Sequence, residues 1–185
     1  ADILKNGGAW LNGELEKIIP VYGTVSFIDN NKDNRIDLIE VYEYEDLVIG
    51  SLYADTMAIT DIEDQSKVLR LEDCIFRIRY EGEQIGFADL ITSDILSVAK
   101  SPLQVDGKDF YTINVSKKIV SGVVDSIEEN TVYIDGFPYR TYSDLTEKIS
   151  LSETYTIAVD FLGNAVRKLN GENKNGSFAY LVSAQ

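Results

Sequence analysis

The stretch Val21-Tyr22-Gly23-Thr24-Val25-Ser26-Phe27-Ile28 decides the fold class. Val21, Gly23, Val25 and Phe27 fall on one face only if the chain is extended, because successive side chains of a strand point to opposite sides. Working outward, the same β-branched and aromatic character returns in Ile36 to Tyr44, Leu47 to Leu52, Val68 to Leu71 and Cys74 to Tyr80. A second series follows in Tyr111 to Val115, Ile119 to Ile127, Thr131 to Ile134, Tyr155 to Phe161 and Ala165 to Leu169. Turn formers punctuate these runs at Asn30-Asn31, Glu81-Gly82, Asp106-Gly107, Glu129-Asn130, Asp135-Gly136 and Gly163-Asn164.

Short strands at this spacing predict an all-β chain of two small antiparallel barrel- or sandwich-like (OB-like) modules. Helical signals are confined to one or two short turns: Ala88 to Ile95, with loose apolar spacing, and Ser143 to Ile149, with Ser143 as a capping residue. A joint is expected at Ser101-Pro102. It divides residues 1–101, a first module with an N-terminal hairpin and an acidic loop, from residues 102–170, a smaller barrel-like module. Residues 171–185 read as a polar linker followed by the start of another strand, Phe178 to Val182. The start, Asp2 to Leu15, carries the only tryptophan, Trp10, and resembles a small hairpin.

Composition narrows the function. With 185 residues, 44% apolar and 26% charged, the chain has ordinary globular composition and room for real cores. The net charge of −14 repels phosphate backbones and anionic lipid while favouring cations, so no nucleic-acid partner is expected. No apolar run approaches the roughly 20 residues of a membrane span, so no membrane insertion is expected. The first residues, Ala1-Asp2-Ile3-Leu4-Lys5, carry neither an initiator Met nor a signal-peptide pattern, so the chain is expected to be a segment of a longer protein. There is no histidine, which removes Ser-His-Asp and Cys-His catalysis and histidine-ligated zinc. The single cysteine, Cys74, stands beside Ile75 and Phe76 and is expected to be a buried thiol rather than a nucleophile. A non-enzymatic chain is the expectation.

One motif is site-like. Residues 29–40 place Asp29, Asn31, Asp33, Asp37 and Glu40 at positions 1, 3, 5, 9 and 12 of a calcium loop, with Arg35 offering its carbonyl at position 7. Calcium takes six to eight oxygen ligands, and alternate residues of a tight loop can converge them. Asn34 stands where glycine is usual, a position Asn tolerates. The flanks are strand-like rather than helical, and Glu40 falls on the second strand. A solvated, metal-free hairpin loop is the alternative. The acidic runs Glu40, Glu43, Glu45, Asp46 and Asp61, Glu63, Asp64 read as solvated faces, although paired carboxylates across a cleft would serve glycoside hydrolysis. The eleven tyrosines read as core-edge packing, with a sugar-stacking platform as the alternative.

Three stretches resemble β-modules repeated in S-layer-homology-domain-containing cell-surface proteins of clostridia and related Firmicutes. They are Gly23-Thr24-Val25-Ser26-Phe27-Ile28 running into Asp29-Asn30-Asn31-Lys32-Asp33-Asn34, then Asp94-Ile95-Leu96-Ser97-Val98-Ala99-Lys100-Ser101, then Val120-Ser121-Gly122-Val123-Val124 through Val132-Tyr133-Ile134-Asp135-Gly136 to Val159-Asp160-Phe161-Leu162-Gly163-Asn164-Ala165. The resemblance implies an extracellular, cell-wall-associated structural module, with neighbouring modules of the same larger chain as partners and no catalytic residues. Calcium, if held at 29–40, would stiffen the first module. The rival expectations are a module binding cell-wall polysaccharide, a carboxylate-dependent glycosidase fragment, and a virion β-module.

Overall fold

The computed structural model of the chain describes residues 1–10 and 18–169. Among these residues the protein is all-β, with three sheets and only short helical turns. The first sheet has the order β2-β1-β4-β3 and is built from β1 (Asp2–Lys5), β2 (Gly8–Ala9), β3 (Gly23–Ile28) and β4 (Leu38–Glu43). The second has seven strands in the order β7-β6-β5-β10-β11-β8-β9. These are β5 (Glu45–Tyr53), β6 (Ala58–Asp61), β7 (Val68–Arg70), β8 (Ile75–Tyr80), β9 (Glu83–Ile85), β10 (Ile95–Lys100) and β11 (Phe110–Ser116). The third, β14-β13-β12-β15-β16, takes β12 (Lys118–Glu128), β13 (Thr131–Ile134), β14 (Phe137–Arg140), β15 (Thr154–Val159) and β16 (Ala165–Leu169).

The hairpins follow from their turn residues. Glu81-Gly82, Asp106-Gly107 and Asp135-Gly136 each place both residues at positive φ (+52° and +87°, +52° and +74°, +49° and +79°). That conformation matches the right-handed twist of the flanking strands and needs glycine at its second position. Asn6-Gly7 does the same between β1 and β2 (φ +50° and +82°).

Most pairings are antiparallel, as expected of such modules, but β1·β4 and β8·β11 run parallel, so two of the sheets are mixed. The joint expected at Ser101-Pro102 falls instead inside the β10–β11 connection. β11 pairs along its length with β10 and β8, and the change of sheet comes at Lys117. The helix-or-turn expected over Ala88 to Ile95 is a short 3₁₀ turn, Phe87–Asp89, and Ile95 already opens β10. At the other site, α1 (Leu145–Lys148) is one turn, and the Ser143 hydroxyl accepts the Leu145 amide at 3.3 Å. Residues 11–15 of the expected hairpin, and the linker and strand expected over 171–185, lie outside the described residues.

Each sheet has its own core. Leu47, Ile49, Ile59, Ile78, Leu96 and Ile113 fill the central one. Val124, Val132, Ile134, Leu145 and Ile157 fill the third. Ile39 and Val41 anchor the first. A fully buried side chain of this kind contributes roughly 1.5–3 kcal/mol. Two further clusters lie between sheets. Val48 and Ile95 of the central sheet pack on Ala158 and Val166 of the third. Tyr22 and Tyr44 pack on Ala99 at the other junction. The chain passes from β4 to β5 through Tyr44 alone and from β11 to β12 through Lys117 alone.

Candidate functional site

The acidic loop is held by its own side chains. Asp29 accepts the Lys32 amide through Oδ1 at 2.7 Å and the Asn34 amide through Oδ2 at 2.9 Å. Asn31 Oδ1 accepts the Asp33 amide at 3.0 Å, and Asp33 Oδ1 accepts the Arg35 amide at 2.9 Å. Asp37 Oδ2 closes the loop on the Asn30 amide at 2.8 Å. Lys32 and Asn34 take positive φ (+62° and +65°), which lets the chain curl around Asp29. The donor set Asp29, Asn31, Asp33 and Asp37 is all hard oxygen, the kind calcium takes.

Glu40 stands apart from that loop. It sits on β4 between Leu4 of β1 and Ser26 of β3, and lines a groove with Tyr42 and Arg77. Two strand residues of rise beyond Leu38 carry it onto the face of the sheet. Among the described residues, no three acidic or thiol side chains converge as a ready-made metal cage.

The more developed constellation lies where the three sheets meet. A cavity of about 410 Å³ opens there, lined by Tyr22, Tyr44, Asp46, Tyr142 and Arg167 among others. Four aromatic rings surround the meeting point. Tyr22 lies 5.8 Å from Tyr44 and 5.5 Å from Tyr142, and Phe161 meets Tyr44 edge-on at 5.2 Å. Tyr22 precedes β3, Tyr44 joins β4 to β5, Tyr142 follows β14 and Phe161 follows β15, so the cluster draws on all three sheets.

Polar groups thread this aromatic hub. The Tyr22 hydroxyl donates to Asp46 Oδ1 at 2.8 Å, Ser97 Oγ donates to the same oxygen at 2.9 Å, and the two hydroxyls are 2.7 Å apart. Ser97 is fully buried and Asp160, close by, is 2% exposed. Burial pushes the Asp46 carboxyl up to about 6, against the opposing pull of Tyr22 and Ser97. Burial and the neighbouring charges of Asp46 and Asp160 drive the Tyr22 phenol far above its ordinary value. Lys67 Nζ reaches the Asp46 carbonyl at 2.6 Å.

A second polar tie links the central and third sheets. Asp61 of β6, 1% exposed, accepts the amides of Val48 (3.1 Å), Glu63 (2.9 Å) and Asp64 (3.2 Å), and pairs with the Arg167 guanidinium of β16. Burial pushes this carboxyl up, but Arg167 and the backbone amides outweigh it and hold Asp61 below its usual value. Asp46, half-buried at the cavity, and Asp61, buried, therefore belong to hydrogen-bonded networks and not to the solvated faces expected of the acidic runs.

Among the described residues the tyrosines do not form an exposed row: Tyr53 and Tyr142 are exposed, but on separate elements, at the end of β5 and after β14. Tyr22 and Tyr44 are buried, and Tyr80, Tyr111, Tyr139 and Tyr155 each lie beneath a lysine: Lys117, Lys100, Lys118 and Lys168, at 4.6–5.6 Å from ring centroid to ammonium. Cys74 is half-buried, not fully buried as expected, and burial followed by the charge of Asp109 raises its thiol.

Comparison with protein-family models, curated proteins and solved structures finds no match for this chain.

Proposed function

We propose that this chain is a non-catalytic, rigid structural module of a bacterial cell-surface protein, working as a spacer between neighbouring modules of the same larger chain. The observation that carries the reading is the pair of single-residue joints, Tyr44 and Lys117, each flanked by a buried cluster. A chain of independent domains places flexible polar linkers between its units. Here the strands run from sheet to sheet with no slack, and the interfaces are apolar cores reinforced by Asp61–Arg167. Calcium at Asp29, Asn31, Asp33 and Asp37 would stiffen the far end of the first sheet, where β3 turns into β4. The lysine-capped tyrosines favour packing over a polysaccharide-stacking platform.

Two measurements test the proposal. In denaturant-dependent hydrogen exchange, amides of β4, β10 and β15 lose their last protection together, as one cooperative block. Separate loss in the third sheet would make the chain a string of independent domains and end the spacer reading. On intact cells of the source organism, brief protease treatment removes the chain from the surface fraction; a chain protected until lysis would place it elsewhere.

A further inference from the structure

We propose that Tyr22, Asp46 and Ser97 form a proton-operated clasp between the first and central sheets, closed when Asp46 holds a proton and loosened when it releases one. The geometry sets a proton count. Three oxygens stand in a triangle: Tyr22 Oη to Asp46 Oδ1 at 2.8 Å, Ser97 Oγ to the same Oδ1 at 2.9 Å, and Tyr22 Oη to Ser97 Oγ at 2.7 Å. Each contact is within hydrogen-bond range for oxygen pairs and needs one proton along its edge. The tyrosine and the serine bring one each. With Asp46 ionised, both protons point at Oδ1, and the two hydroxyl oxygens face each other at 2.7 Å with none between them. A third proton, on Asp46 Oδ1, completes the ring: Tyr22 donates to Asp46, Asp46 to Ser97, and Ser97 to Tyr22.

The surroundings favour that third proton. Ser97 is fully buried and Tyr22 is 8% exposed, so water does not replace the missing edge. From the turn after β15, Asp160 faces the phenol and the carboxyl with negative charge. Lys67 opposes it, but spends its ammonium on the Asp46 carbonyl oxygen. Across the cavity Glu63 is 3.6 Å from Arg167 and Asp144 is 3.0 Å from Lys148. On the strand leading to the clasp, Glu43 pairs with Lys5, and Glu45 is exposed. Burial places the Asp46 titration at about 6, inside the range over which extracellular conditions vary. Asp46 borders the cavity, which gives the released proton a way out.

The clasp holds the segment entering β3, and the Tyr44 amide, bonded to the Tyr22 carbonyl at 3.0 Å, reports its opening. One proton changes an opening equilibrium by at most about tenfold per pH unit. Hydrogen exchange at the Tyr44 amide, corrected for intrinsic rate, is therefore followed from about pH 5 to about pH 7.5. In the wild type, protection falls by about tenfold or more across that range. In Asp46→Asn it stays flat, and in Ser97→Ala, which removes two edges of the triangle, the fall shrinks to less than about threefold. In parallel, the Asp46 carboxyl is titrated directly by side-chain carbon NMR in the wild type, which requires no variant to fold. An Asp46 titration near about 4, or the same fall in Asp46→Asn as in the wild type, would overturn the proposal.

Discussion

Replacing Arg167 with methionine tests whether the central and third sheets are welded or merely adjacent. Methionine keeps an unbranched apolar stem and deletes the guanidinium, so Asp61, 1% exposed in the wild type, loses the cation it pairs with among the described residues. Breaking a buried ion pair costs about 3–5 kcal/mol when the remaining charge is uncompensated. Asp61 keeps three backbone amides at 2.9–3.2 Å, which places the cost at the lower end, about 3 kcal/mol at pH 7. The pH dependence is a second, independent signature. In the wild type the folded Asp61 carboxyl is held below its ordinary value. The stability it contributes is therefore present above the unfolded value of about 4 and is lost as pH falls through the folded one. In the variant burial acts alone against the amides, the depression shrinks, and less stability is lost on acidification. Urea unfolding at about pH 7 and again well below about pH 4 should show the gap narrowing, because only there does the folded wild-type carboxyl take up its proton. A cost below about 1 kcal/mol at neutral pH, or a gap equal at both, would refute the weld.

Other expectations follow from the same geometry. Asn6 donates to the Lys100 carbonyl at 2.7 Å and accepts the Glu43 amide at 2.8 Å, so Asn6→Ala should cost about 2 kcal/mol and expose β1 first, as read by hydrogen exchange. A Cβ at Gly23 would stand 1.8 Å from the Tyr42 carbonyl oxygen, and Gly23→Ala should destabilise by about 3 kcal/mol or more in thermal melts as β3 is pushed off β4. If the acidic loop holds calcium, millimolar calcium raises the melting midpoint of chelator-treated protein, and the double variant Asp29→Ala/Asp33→Ala abolishes the rise; an unchanged midpoint would reduce the loop to a polar hairpin. Cys74, its thiol raised by burial, should react with iodoacetamide at pH 7.5 several-fold more slowly than free cysteine, in a thiol-loss assay.

How much of this was legible in the sequence depends on what each strand buries. Thr131–Ile134, whose burial alternates, is legible to the residue because period two survives when only one face is covered. Ala165–Leu169 is legible from its β-branched character and the Gly163-Asn164 turn before it, although Ala165 and Val166 are both buried. β10 is not legible, although it is central. Ile95, Leu96, Ser97 and Ala99 are all fully buried, so the strand has no polar face and its pattern is a short mixed run. The glycine turns were legible because positive φ at two successive residues leaves few alternatives. The acidic loop was legible as a local motif, whereas the fate of Glu40 was not, since it depends on β4 pairing with both β1 and β3. The aromatic and polar hub was invisible. Tyr22, Asp46, Ser97, Tyr142 and Phe161 meet only after three sheets have assembled, and no local spacing connects them.

The single-residue joints bear on how this chain can be edited. Side chains of a strand alternate, so one residue inserted at Tyr44 or Lys117 would turn every following position of β5 or β12 to the opposite face. Val48 of β5 or Val124 of β12 would then point away from its core. The tips at Gly82, Gly107 and Gly136 are the reverse case, with nothing within 4 Å of an added Cβ. Epitope tags, fluorophore loops or protease sites belong at those tips, and length variation between natural versions of this chain should gather there and avoid the two joints.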